Sequence, residues 1–404
     1  MHMISSLKMK NEKNMPLIRI SEIKEEWLYR ELKEVKDVRD GTHSSPKYID
    51  NGYPLVTSKN LTDSGLNLND VSLISESDYD EINKRSKVEV GDILLGLIGT
   101  IGKPVLVDSD GFAIKNVGLI KNGGEIQNQF LLQYLKTNLF NKYIQIEMAG
   151  NTQKFLGLET LRNTKVPIPS QDEQSAIGSL FRTLDELLAS YKANLANYQS
   201  LKATMLSKLF PKDGQTVPEI RLKGFEGEWK EKDFSKLVKR VTQSSDSDSL
   251  PKVEFEDIVS GQGQLNKDIS RKFDNRKGIH FKPGYTLYGK LRPYLNNWLL
   301  PKFEGVALGD FWVFDPNGND SNFIYYLVQS NRYQKVANDT SGTKMPRSDW
   351  KSVSTTIFAI PQTITEQQAI GSYFSNLDNL INSHQEKISQ LETLKKKLLQ
   401  DMFI

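Results

Sequence analysis

The sequence predicts a mixed α/β (α+β) protein: two globular domains separated by two long helices packed as an antiparallel coiled coil, with a pseudo-two-fold internal repeat. Three observations predict it. Residues 173–210 and 366–403 align without a gap at an offset of 193 and share 15 of 38 positions. Both stretches space apolar side chains at alternating steps of four and three, as a coiled-coil seam requires. The segments between them read as short strands punctuated by turns, with helical stretches late in each.

A length of 404 residues accommodates two to three domains, each large enough for its own core. Cysteine is absent, which excludes disulfides, thiolate nucleophiles and Cys-containing zinc sites. The four histidines are far apart in the chain, so a histidine-based metal site is not expected. No apolar run reaches the roughly 18 residues of a membrane span, and Met1–Asn14 lacks a signal-peptide core. Cytoplasmic residence and no membrane partner are the expectation. A net charge of +3 is too small to imply nucleic-acid binding, so any such partner needs locally concentrated charge.

Each long helix begins with a capping signal. Ser170 precedes Glu173 and Thr363 precedes Glu366, both fitting the S/T-x-x-E box directly after Pro169 and Pro361. The seam expected to hold the helices together comprises Ile177, Phe181, Leu184, Leu188, Tyr191 and Leu195, then Ile370, Phe374, Leu377, Ile381, Ile388 and Leu391, with His384 at the place of Tyr191. Neither helix can bury this stripe alone, so the two are expected to pack on one another. Lys202 and Lys395 occupy equivalent seam positions and either fix register or snorkel to water. About 39 residues at 1.5 Å each make a rod of roughly 58 Å, longer than one turn of duplex DNA. A second echo opens each half: Pro16, Ile18, Arg19, Glu26 and Trp27 recur as Pro218, Ile220, Arg221, Glu228 and Trp229. The expected layout is a flexible tail (1–15), a first domain (16–169), a first helix (170–211), a linker (212–217), a second domain (218–362) and a second helix (363–404).

Within the first domain, Asp40-Gly41 and Asn51-Gly52 are expected to be turns, Val88–Val107 strand, glycine turn and strand, and Gln129–Met148 helical. In the second, Tyr285–Leu291 and Val306–Phe314 are expected to be strands and Asn322–Val336 a helix. Residues 269–302 carry eight basic side chains against one acid, Asp274, with aromatic residues interleaved. Basic groups attract phosphates, and Arg or amide groups can pair with base edges. The candidate DNA contacts here are Arg271, Lys272, Arg276, Lys277, Lys290, Arg292 and Tyr294, with Lys344 and Arg347 from a later polar loop. In the first domain they are Arg39, Thr42, His43, Ser44, Lys47, Tyr48, Ser58, Lys59, Asn60, Thr100, Lys103, Asn151, Gln153 and Lys154.

No catalytic set survives inspection. Gly96, Gly99, Gly102 and Lys103 have the wrong spacing for a phosphate loop, and Pro104 stands where a magnesium-binding Ser or Thr belongs. There is no G-x-S-x-G elbow, and Asp315-Pro316 lacks the continuation of an amino-methyltransferase motif.

At the repeated helix a family resemblance becomes specific. Ile168-Pro169, Glu173-Gln174, Ala176-Ile177 and Leu184-Asp185 recur as Ile360-Pro361, Glu366-Gln367, Ala369-Ile370 and Leu377-Asp378. With Gly224–Trp229, Gly91–Leu94 and Lys290–Tyr294, this run resembles the shared regions of type I restriction–modification specificity subunits, from about Pro16 to Phe403. One departure is Ser21-Glu22-Ile23-Lys24, where the second half has Lys223-Gly224-Phe225-Glu226. The resemblance implies two target-recognition domains, each reading half of a bipartite, asymmetric double-stranded DNA site, with the helices setting the spacer. It implies two methyltransferase (modification) subunits and two restriction subunits as partners. S-adenosylmethionine, ATP and Mg are then expected in those partners, with no metal, cofactor or catalytic residue in this chain. The rival readings are a coiled-coil scaffold that does not touch DNA and a self-contained DNA-modifying enzyme.

Overall fold

A computed structural model describes the chain except for residues 1–15, 20–25, 64, 150–154, 271, 273, 340–344 and 404. The chain forms two compact units, Met1–Tyr191 with Lys387–Ile404, and Lys192–Glu386. The first long helix, Gln171–Lys208, therefore starts in one unit and ends in the other, and the second, Ile364–Asp401, does the reverse. The departure at Ser21–Lys24 lies outside the described residues.

The two units repeat one topology. In the first, Leu28–Glu31 pairs antiparallel with Lys165–Ile168, the strand that leads into the first long helix. In the second, Lys230–Asp233 pairs with Ile357–Ile360 in the same way. An antiparallel sheet follows in the order Val38–Asp40, Val117–Ile120, Ile93–Gly96, Gly102–Leu106. Its counterpart runs Lys239–Val241, Phe311–Asp315, Thr286–Gly289, Trp298–Leu299. Inserts of unlike sequence thus share a frame, because the pattern of buried and exposed positions can persist while side chains change.

Several local expectations need correction. Asp40-Gly41 is not a turn. Gly41 continues the strand direction, and a Cβ there would lie 2.3 Å from the Ile114 carbonyl oxygen, so glycine is required by close backbone approach. The single helix expected over Gln129–Met148 is two, Asn128–Leu135 and Asn138–Met148, divided where Thr137 accepts the Phe140 N–H. Ser330 likewise divides Ser321–Leu327 from Asn331–Ala337 by accepting the Tyr333 N–H. Val306–Phe314 is two strands of different sheets, separated by Gly309 at φ +81.

The helix repeat is explained by what its polar residues hold. Glu173 accepts from Arg19 at 2.6 and 2.9 Å and from the Trp27 indole at 3.0 Å. Glu366 accepts from Arg221 at 2.8 Å twice and from Trp229 at 3.1 Å. The opening echo and the helix echo are two sides of one buried clamp. Only half of each capping box forms: Ser170 and Thr363 accept the N–H of Glu173 and Glu366, while those carboxylates turn to Arg and Trp. The adjacent Gln174 and Gln367 accept the backbone N–H of Gln127 and Asp320, tying each long helix to the start of the domain's first late helix.

The helices pack antiparallel in each unit. Lys395 of the second helix meets Asp185 of the first in one unit. In the other, Lys202 of the first meets Asp378 of the second at 2.7 Å. Of the two readings of the seam lysines, the structure supports paired groups within the seam. Ile177, Phe181, Leu184, Ile370, Phe374 and Leu377 are buried as members of a domain core, and Leu188 and Ile381, one step further along each helix, are buried too. Tyr191, Leu195, Ile388 and Leu391 are half-buried, as a two-helix seam alone permits. At the far end of each helix a phenylalanine enters a core: Phe403 lies 6.0 Å from Trp27 and 5.5 Å from Phe130, and Phe210 lies 5.7 Å from Phe323 and 6.1 Å from Phe374.

Candidate nucleic-acid interface

In the first unit the backbone gathers three of the polar segments singled out from sequence. Asn116 N–H donates to the Thr42 carbonyl at 3.1 Å, and Lys115 N–H to Val56 at 2.9 Å. The Ser58 hydroxyl donates to the Ile98 carbonyl. Thr42-His43 and Leu97 therefore bond Asn116, and Ser58 lies beside them through Ile98. Sequence reasoning overlooked Lys115 and Asn116, which carry no motif. Asn116 is held at φ +56 and accepts from His43, whose other ring nitrogen faces Asp40 at 2.8 Å.

Not every candidate faces outward. Asn60 is buried, accepting from Thr57 and donating to the Asn67 and Asp70 carbonyls, and Ser58 is buried with it. Both build the platform beneath the surface. Arg39 is engaged by Asp37 at 2.6 Å, and Thr42 and Ser44 bond each other at 2.7 Å. Lys47, Tyr48, Lys59 and Lys103 are exposed and Thr100 is half-buried. Asn151, Gln153 and Lys154 lie outside the described residues.

In the second unit part of the local positive charge is answered by acids distant in sequence. Lys272 pairs with Glu254 at 2.6 Å and Asp257 at 2.8 Å. Arg276 grips Asp274 and Glu254, and its side-chain and backbone hydrogen bonds hold the Asp274 carboxyl down at about 2. Lys290 and Arg347 share Asp310, at 3.5 and 3.1 Å. Lys277, Arg292 and Tyr294 are exposed. Arg271 and Lys344 lie outside the described residues. A bridge between Leu291 and Arg347, and an Arg292 N–H bond to Pro346 at 2.7 Å, bring 290–294 and 345–347 into one surface. Among the described residues no cluster of His, Asp and Glu could hold a metal, and no helix is long and apolar enough to cross a membrane.

The chain is similar over 98% of its length to a Methanocaldococcus jannaschii protein named as the MjaX specificity subunit of a type I restriction enzyme, at 22% identity and covering 97% of that protein. It is 28% identical to the MjaVIII specificity subunit of the same organism over 47% of each chain. Among solved structures, the type I restriction–modification S subunit from M. genitalium matches with a TM-score of 0.63 at 15% identity, over 96% of this chain and 99% of that one. The family model described as the type I restriction modification DNA specificity domain matches twice, over residues 24–197 and 239–393. Each match takes in one insert and much of the long helix that follows it. The chain belongs to the type I restriction–modification specificity-subunit family, with two target-recognition domains.

Proposed function

We propose that each unit reads one half of a bipartite, asymmetric double-stranded DNA site and that the helix pair sets the spacer between the halves. The observation that carries this reading is the repetition of one frame with unlike polar surfaces. His43 and Lys59 stand in one, and Lys290 and Arg347 in the other. A common frame with different side chains suits two readers of different half-sites. Catalysis then falls to partners in the cytoplasm: two modification subunits that methylate adenine with S-adenosylmethionine, and two restriction subunits that use ATP and Mg.

Mapping methylated adenines in the host genome with and without the gene tests this reading. A split motif that vanishes with the gene is expected; methylation unchanged by its loss would overturn it. Deleting one heptad from each long helix should alter the spacer and leave both half-sites intact. Purified chain that methylates or cuts DNA alone would favour the self-contained enzyme, and a complex that retains no duplex selectively at raised salt would favour the scaffold.

A further inference from the structure

Both recognition domains place left-handed residues in the turn that follows Ile93–Gly96 in one large sheet and Thr286–Gly289 in the other. In the first, Ile93–Gly96 runs into a turn with Gly99 at φ +80, and Gly102 at +79 and Lys103 at +51 open the next strand, Gly102–Leu106. In the second, Thr286–Gly289 runs into a loop with Arg292 at φ +48 and Asn296 at +54. Each loop bridges the segment before the domain's last helix, Ile98 to Phe155 and Leu291 to Arg347. Each is also fixed by a serine hydroxyl, Ser58 on the Ile98 carbonyl and Ser260 on the Leu295 carbonyl. Arg292 adopts a conformation that side chains resist, and the fold over-determines it through its N–H bond to Pro346 and its carbonyl bond from Leu295. Its guanidinium is exposed and makes no hydrogen bond or ion pair among the described residues. The counterpart of Arg292 in the first domain is Gly99, and the exposed cation there is Lys103 at the start of the strand that leaves the turn, paired among the described residues with Asp63, itself 91% exposed, at 3.7 Å.

Resting on the DNA-reading function, we propose that these kinked loops grip the phosphodiester backbone, through Lys103 in one domain and Arg292 in the other, and that base discrimination lies in other side chains. Two domains that read different bases have one ligand feature in common, the phosphates, and a left-handed turn with an exposed cation in or directly after it, present in both frames, matches that feature.

The test uses the chain assembled with its modification subunits and two duplexes, one carrying the mapped methylation site and one of random sequence. Arg292→Gly suits the kink and deletes the guanidinium; Lys103→Ala removes the other cation. Each variant is expected to weaken both duplexes by the same factor, to lower the slope of log affinity against log salt by about 1, and to leave every base preference unchanged. Arg292→Lys should restore the slope. Lost preference at a single base pair would overturn the proposal by making the residue a base reader, and unchanged affinity and slope would overturn it by removing the contact. Wild-type complex that prefers neither duplex defeats the DNA-reading function itself, an outcome distinct from either.

Discussion

The Lys202 ammonium and the Asp378 carboxylate lie 2.7 Å apart, with both side chains more than four-fifths buried, and the Tyr326 hydroxyl donates to the second Asp378 oxygen at 2.8 Å. Lys395 and Asp185 repeat the pair with the helices exchanged, but Asp185 is 39% exposed. Water competes for one pair far more than for the other.

Removing one partner of a buried pair strands the other charge, which costs about 3–5 kcal/mol, whereas an exposed pair contributes about 1 kcal/mol or less. Asp378→Ala should therefore approach the lower end of the first range and Asp185→Ala should stay near the second. Denaturant unfolding of the two variants compares them; equal losses would show that burial does not separate the pairs.

Gly178 and Gly371 are equivalent glycines inside the long helices, yet their surroundings differ. A Cβ at Gly371 would lie 2.7 Å from both Asn322 Cβ and Asp320 Oδ1, and one at Gly178 would lie 3.0 Å from Gln129 Cβ. Alanine gains about 1 kcal/mol in helix propensity, while overpacking costs about 1–3 kcal/mol. Gly178→Ala should be close to neutral and Gly371→Ala destabilising, as thermal unfolding will show.

Phe210 and Phe403 close the two cores from the ends of the helices. Truncating a buried phenylalanine costs about 3–5 kcal/mol. Phe403→Ala should loosen the unit containing Trp27 and Phe130, and Phe210→Ala the unit containing Phe323 and Phe374. Hydrogen exchange should localise each loss to its own unit; protection falling equally in both would contradict the assignment.

Burial pushes the Lys36 ammonium down to about 8, against the pull of Asp92. Between about pH 8 and 10.5 the unfolded chain holds a proton that the folded chain has released, so stability rises with pH through that window. Below it both states are charged and the burial penalty is present in full. The rise amounts to at most roughly 3 kcal/mol. Lys36→Met should lose this rise, measured as the difference in urea unfolding profiles between variant and wild type across that window. Parallel profiles would rule out the shift.

Much of the site was only partly legible. The polar loops around Thr42, Ser58 and Thr100 could be picked out by composition, but their meeting at Lys115-Asn116 depends on strands far apart in sequence. The basic run after Ile269 looked unopposed because Glu254, Asp257 and Asp310 lie outside it. Asn60 looked like a reader because an amide suits base edges equally well as it suits a buried turn.

The repeat and the seam were determined by sequence alone, because heptad spacing is a local property that survives without coordinates. The partners of the repeated polar residues were decided by tertiary structure: Glu173 by Arg19 and Trp27, Glu366 by Arg221 and Trp229, Lys202 by Asp378. A buried charge takes its meaning from whatever the fold sets beside it, and low-dielectric surroundings make that choice of neighbour costly to get wrong.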